Sequence, residues 1–268
     1  MTTMASLGEP TILGGPQMDQ ETTRMLYEMR LSSMVEAVNA QNTSENCQGM
    51  NFEERIKLIV ANAYASRQTN KLERLIKQAD FSTVAPSIGN IDYLPDRHLD
   101  RHLISELATG TYIKQHHNLI IMGASGNGKT WLATALGIEA CRQFHKVKYV
   151  RLPELLDDLL IAKHEANGDF QKLLERYRKV DLLIIDEWLL TDVSLEQSQF
   201  LLELVECRLQ SASTIYCSQF DPKGWHSKFG NAQIADAILD RIVHDSYRIV
   251  SEGERSMRER YGIGGQND

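Results

Sequence analysis

Cysteine is scarce in this sequence. Four occur in 268 residues, at Cys47, Cys141, Cys207 and Cys217, with no CxxC pair and no histidine at zinc-ligand spacing. Neither a disulfide framework nor a structural metal site is therefore expected to organise the chain. Long apolar runs are missing too. Nothing approaches the ~20 residues needed to span a bilayer, and the polar start MTTMASLGEPTILGGPQMDQ lacks the basic segment and apolar run of a signal peptide. The sequence predicts a cytoplasmic protein with no membrane partner. Positive charge is also in deficit: 29 Lys plus Arg stand against 36 Asp plus Glu, for a net charge of −7. That balance excludes a uniformly basic surface, so any nucleic-acid contact must use a local patch. What is there is ordinary. Hydrophobic residues make up 42% and charged residues 24%, which excludes a largely disordered or collagen-like chain, and the length suits one large domain with a small companion.

The pattern of apolar residues changes class along the chain. Residues 1–20 carry Gly, Pro and polar residues without periodicity and are expected to be a mobile leader. Between 21 and 80 three helical stripes follow: Leu31, Met34, Val35 and Val38; then Phe52, Ile56, Ile59, Val60 and Ala63; then Leu72, Leu75, Ile76 and Ala79. These predict a small all-α N-terminal domain for DNA or partner binding. Its outer faces carry a slight excess of Lys and Arg, compatible with a solvated surface or with a DNA-contacting one. Pro86, Gly89 and Pro95 then break the period, and the domain boundary is expected at 80/81. From 81 to 268 short apolar runs alternate with helical stretches: NLIIM, KVKYV, LLIID, STIYCS and YRIVS. Strands separated by helices predict an α/β domain with a mostly parallel sheet and helices on both faces.

The strongest chemical signal is Gly123-Ala124-Ser125-Gly126-Asn127-Gly128-Lys129-Thr130, which fits GxxxxGK[ST] at every fixed position. It also has the required context, since the strand NLIIM runs into it and a helix leaves it. Glycines let successive N–H groups turn toward phosphate oxygens, and the helix adds its positive end. Lys129 is expected to reach the β- and γ-phosphates of ATP and the Thr130 hydroxyl to ligate Mg²⁺. A second, carboxylate-bearing element should complete such a site. LLIIDE supplies it: Asp186 and Glu187 emerge at the C-terminal end of a buried strand, where open parallel sheets bind ligands. Asp186 is the natural Mg²⁺ partner and Glu187 the natural residue to orient and polarise the attacking water.

Together GASGNGKT, LLIIDEW, TIYCSQFDPKGWHSKFG and ADAILDRIVHDSYRIV resemble the IstB-like helper ATPases of bacterial insertion sequences. These are relatives of the DnaC helicase loaders within the AAA+ superfamily. The resemblance extends over roughly residues 20–260. It implies an AAA+ P-loop core and a transposition regulator that self-associates with ATP on duplex DNA and stimulates the transposase encoded by the same element. It further implies that Gln219 is a sensor contacting the γ-phosphate or its water. Arg241 would be an arginine finger reaching the nucleotide of a neighbouring subunit. After the last expected strand 268 − 251 = 17 residues remain, too few for the C-terminal helical lid of many AAA+ proteins, so no lid-borne arginine is expected. The tail SEGERSMRERYGIGGQND reads as charged and solvated.

Lys172, Arg176, Arg178 and Lys179 on the 168–179 segment are candidate DNA contacts, with a solvated amphipathic helix as the alternative. Trp188 and Trp225 read as core aromatics rather than base-stacking ones. The nearest competing function is a DnaC-type replicative helicase loader acting on single-stranded DNA. A P-loop kinase for a small metabolite would need an acceptor pocket and usually a lid. A nucleotide-bound architectural protein would show no turnover.

Overall fold

The computed structural model describes residues 18–47, 49–82, 86–164, 169–253 and 255–261. The expected leader falls outside them as far as residue 17. The chain divides into two compact units between Lys71 and Leu72.

The first unit holds α1 (Gln20–Glu28), α2 (Ser32–Thr43) and the first part of α3 (Phe52–Ala79). Asp19 caps α1 by accepting from the Thr22 amide at 2.8 Å. At the start of α3 the Asn51 side chain accepts from the Glu54 amide at 2.9 Å while Glu54 accepts from the Asn51 amide at 3.0 Å, a reciprocal cap. Val35, Ala37 and Ile59 are buried. The second and third expected helices are one helix of 28 residues. The apolar stripe fades over 64–71, but that stretch, YASRQTNK, contains neither Gly nor Pro, so nothing stops propagation. The division at 71/72 thus falls inside α3, not at the break expected after residue 80. Arg55 donates to the Gln41 side-chain oxygen at 3.2 Å and to the Asn42 side chain at 3.3 Å, tying α3 to α2, so not every cation of this stretch faces solvent unpaired.

The second unit continues through α4 (Arg101–Ala108), α5 (Thr111–Lys114), β1 (Asn118–Met122), α6 (Lys129–Arg142), β2 (Val147–Arg151), α7 (Leu152–His164) and α8 (Asp169–Arg178). It closes with β3 (Leu182–Asp186), α9 (Leu195–Arg208), β4 (Ser213–Ser218), α10 (Pro222–Trp225), α11 (Ala232–Val243), β5 (Ser246–Val250) and α12 (Met257–Tyr261). The strands form one sheet in the order β2-β3-β4-β1-β5, and all four pairings are parallel. Successive residues of each strand feed opposite cores. Ile120, Leu183, Ile185 and Tyr216 pack with α7, α8, α9 and α11, whereas Leu119, Ile121, Leu182, Ile184 and Cys217 pack with α4, α5 and α6. Both faces are therefore covered by helices, as the near-continuous apolar strands require. The face of α9 that docks is Phe200, Leu201, Leu204, Val205 and Arg208; Leu209 lies past the helix end and is exposed. Trp188 and Trp225 are fully buried and meet edge-on, with ring centroids 5.9 Å apart, which removes them from base stacking.

Arg208 is the charge buried in this layer. Its guanidinium donates to the carbonyls of Tyr177, Val180 and Ser213 and to the Thr214 hydroxyl, linking α8, α9 and β4. Desolvation draws its pKa down to about 10, which leaves it charged at neutral pH. Arg208→Met should leave those acceptors unpaired and lower the unfolding free energy by about 3 kcal/mol, measurable by urea titration.

After β5 the described residues contain one five-residue helix, α12, and no helical lid. The tail is not simply solvated, however. The Met257 amide donates to the Gly126 carbonyl at 2.9 Å, Arg260 pairs with Asp96, and the Tyr261 hydroxyl bonds to Asp92. Alternating charges suggested a free segment because partners some 160 residues away leave no local periodic signal.

Candidate functional site

The ends of β1, β3 and β4 converge on one cavity of about 930 Å³. Ser125, Gly126, Gly128, Lys129, Thr130, Asp186, Glu187 and Gln219, all expected site residues, line it. The loop after β1 can turn this tightly because Gly126 has φ +86°, in the left-handed region that side chains rarely adopt. Lys129 is 9% exposed and donates to the loop's own carbonyls, Gly123 and Ala124, at 2.8 Å each. Burial lowers its pKa below the usual lysine value, and nearby Arg258 pushes the same way. A cation held only by carbonyls in a half-desolvated loop is poised for an anion. Asn127 faces elsewhere: its amide donates to the Ser251 carbonyl at 3.0 Å, so it fastens the loop to the segment after β5.

Asp186 ends β3 and is 6% exposed. One of its oxygens accepts from the Thr130 hydroxyl at 2.7 Å and from the Tyr149 hydroxyl at 2.9 Å; the other accepts from the Glu187 amide at 2.8 Å. The Thr130 hydroxyl and the Asp186 carboxylate are thus adjacent hard oxygen donors opening on the cavity. Two such protein ligands, leaving room for phosphate oxygens and water, fit Mg²⁺. Glu187 adopts φ +56° and Leu189 φ +51°, and between them the Trp188 amide donates to the Cys217 carbonyl at 2.8 Å. A non-glycine residue in this region is strained by about 1–3 kcal/mol, and the buried Trp188 ring anchors the turn that imposes it. The Glu187 carboxylate is bound by Arg151 at 2.8 and 3.0 Å, and this pairing raises the arginine's pKa. Gln219 follows β4 at the cavity edge.

Arg241 does not line this cavity. It donates to the Ala237 carbonyl of its own helix at 2.7 Å and pairs with Glu206 at 3.0 Å. Lys172, Arg176 and Arg178 on α8 and Lys179 just past its end are all exposed. Lys172 pairs with Asp169 at 2.7 Å, while Arg178 and Lys179 share Glu175 at 2.8 and 3.6 Å. Sequence reasoning missed Arg97, Tyr149, Arg151 and Arg258. Arg151 had a legible signal: it ends β2 in register with Asp186, at the sheet edge where ligands bind. Arg97, 4% exposed, reaches the Asn127 carbonyl at 3.1 Å from a turn with no periodicity to announce it.

The profile of the IstB-like ATP-binding proteins matches residues 24–262. A protein of Pseudomonas fluorescens named as an ATP-binding protein of insertion sequence IS1162 is 40% identical over 202 residues, 75% of this chain and 87% of its own. An insertion-sequence ATP-binding protein of Sinorhizobium fredii, y4pL, is 35% identical across 92% of this chain and 98% of its own. Among solved structures, DnaI superposes with a TM-score of 0.51 at 20% identity, covering 67% of this chain and 90% of that one. AMPPCP-bound DnaA from Aquifex aeolicus gives a TM-score of 0.53 at 17% identity, covering 67% and 54%. These likenesses establish the AAA+ fold.

Proposed function

The chain belongs to the IstB-like ATP-binding proteins, and from that membership we propose an ATP-hydrolysing helper that assembles on duplex DNA and stimulates the transposase of its own insertion sequence. The observation that carries this is the single cavity bringing Lys129, Thr130, Asp186, Glu187 and Gln219 together. Lys129 would exchange its two loop carbonyls for β- and γ-phosphate oxygens. Thr130 and Asp186 would hold Mg²⁺, which screens the phosphate charge and orients the terminal group. Glu187, released from Arg151, would accept a proton from the attacking water, with Gln219 fixing that water's position. Relatives at 35–40% identity are named for insertion sequences, whereas the likeness to DnaI, at 20%, speaks to the fold alone. That difference favours the transposition helper over a helicase loader.

Arg241 lies outside its own subunit's cavity, which suits a role in trans: exchanging Glu206 for the γ-phosphate of a neighbour would couple hydrolysis to assembly. The exposed cations of α8 suit phosphate contact without base readout. Their pairs with Asp169 and Glu175 are surface ion pairs, weak enough to be exchanged for DNA phosphates.

The test is phosphate release with and without duplex DNA. Wild type should turn over slowly and faster on duplex, and Arg241→Ala should bind ATP yet lose the stimulated rate by about 10³-fold. Mixing Arg241→Ala with Lys129→Ala should restore part of that rate, because ATP on the first faces an intact arginine on the second. No recovery in the mixture, with both variants folded, removes the trans assignment. A wild-type rate indifferent to duplex removes the DNA-coupled function.

A further inference from the structure

The residues after β5 are fastened to the phosphate loop at several points. The Ser251 amide donates to the Met122 carbonyl at 2.7 Å and the Ser251 hydroxyl to the Asn127 carbonyl at 2.7 Å. The fit extends to two loop glycines: a Cβ on Gly123 would lie 2.1 Å from the Ser251 carbonyl oxygen, and one on Gly126 would lie 2.6 Å from the Ser256 Cβ. Arg260 and Tyr261 then anchor α12 to Asp96 and Asp92. Held in this way, Met257, Arg258 and Tyr261 form part of the wall of the nucleotide cavity.

Arg258 differs from its neighbour Arg260. Among the described residues it makes no side-chain hydrogen bond and no ion pair, yet it lines the cavity and its charge is felt by Lys129. The carboxylates of the cavity are engaged elsewhere: Asp186 by Thr130 and Tyr149, Glu187 by Arg151, Asp92 by Tyr261. Lys129 and Arg258 thus place two repelling charges in one cavity; Asp186 offsets part of this at Lys129, but no carboxylate among the described residues pairs with Arg258. A bound polyphosphate would relieve that repulsion, and a planar guanidinium suits its oxygens.

We propose that α12 closes the nucleotide cavity from within the same subunit and that Arg258 binds the terminal phosphate of the triphosphate, so that the site distinguishes ATP from ADP. The tail thus does the work expected of a lid, with a single helical turn. The proposal deepens the nucleotide reading and rests on it.

Titration of the full-length chain with Mg²⁺-ATP and Mg²⁺-ADP tests it. Arg258→Gln should weaken ATP binding about tenfold and leave ADP within about twofold, while Arg258→Lys should recover part of the preference. Asp96→Ala, which frees Arg260 and loosens α12, should erode the same preference with Arg258 intact. Equal losses for both nucleotides would reduce Arg258 to a structural role, and unchanged affinities would remove it from the site; either result overturns the proposal. Lys129→Ala run alongside separates the two ideas. If it binds ATP as wild type does, the nucleotide reading itself fails; if it loses ATP while Arg258→Gln keeps the normal ATP-to-ADP ratio, only the tail's role fails.

Discussion

Lys129→Ala should abolish measurable ATP binding at micromolar nucleotide. Among the described residues Lys129 is the one lysine lining the cavity, and its ammonium is already stripped of most of its water, so the desolvation that phosphate binding would demand is largely met in the free protein. Losing a buried charge-assisted contact to phosphate is worth about 3 kcal/mol or more, on the order of a hundredfold in affinity. The same substitution also deprives the Gly123 and Ala124 carbonyls of their donor, so the empty loop loses its resting geometry as well. A pH series adds an independent check. Because burial has lowered the pKa of Lys129 in the free protein, and phosphate would raise it again, binding is full below the free-state pKa. It should weaken as pH rises through that value, at lower pH than an ordinary lysine would give. Calorimetric titration across alkaline pH reads this directly. An alanine variant that binds ATP normally would remove the phosphate loop from the function.

Much of this site was legible because its chemistry is local in sequence. Gly123 to Thr130 are consecutive, and Asp186-Glu187 directly follows four strand residues, so motif and context could be read together. The parallel sheet followed from the same runs: a strand such as LLIID, buried along its whole length, has no polar face to give to solvent. The residues that escaped reading act across long separations. Tyr149 reaches Asp186 only because β2 and β3 are neighbours, and Arg97, Arg258 and Arg260 enter through turns and a five-residue helix with no period to detect. The unbroken α3 escaped for another reason. Apolar spacing reports burial, and a helix whose middle is exposed continues without it.

Glu187→Gln should trap the protein with ATP bound, lowering turnover by about 10²–10⁴-fold while nucleotide affinity stays within about twofold. An amide keeps the size and hydrogen-bonding reach of the side chain but cannot take a proton from water. Affinity should hold because Asp186, not Glu187, shares its carboxylate with Thr130 at the metal position. In the structure Glu187 is not free to act, since Arg151 holds both of its oxygens. Arg151 must give up that pair before the carboxylate can face a water, which adds a step to each turnover. The variant also loses the charge that engages Arg151, so its glutamine is held less tightly than the native glutamate, and any residual turnover cannot be blamed on a stronger restraint. Single-turnover hydrolysis together with filter retention of radiolabelled ATP separates chemistry from binding. Turnover at the native rate would leave the Arg151 pair as the sole role of Glu187 and remove it from water activation.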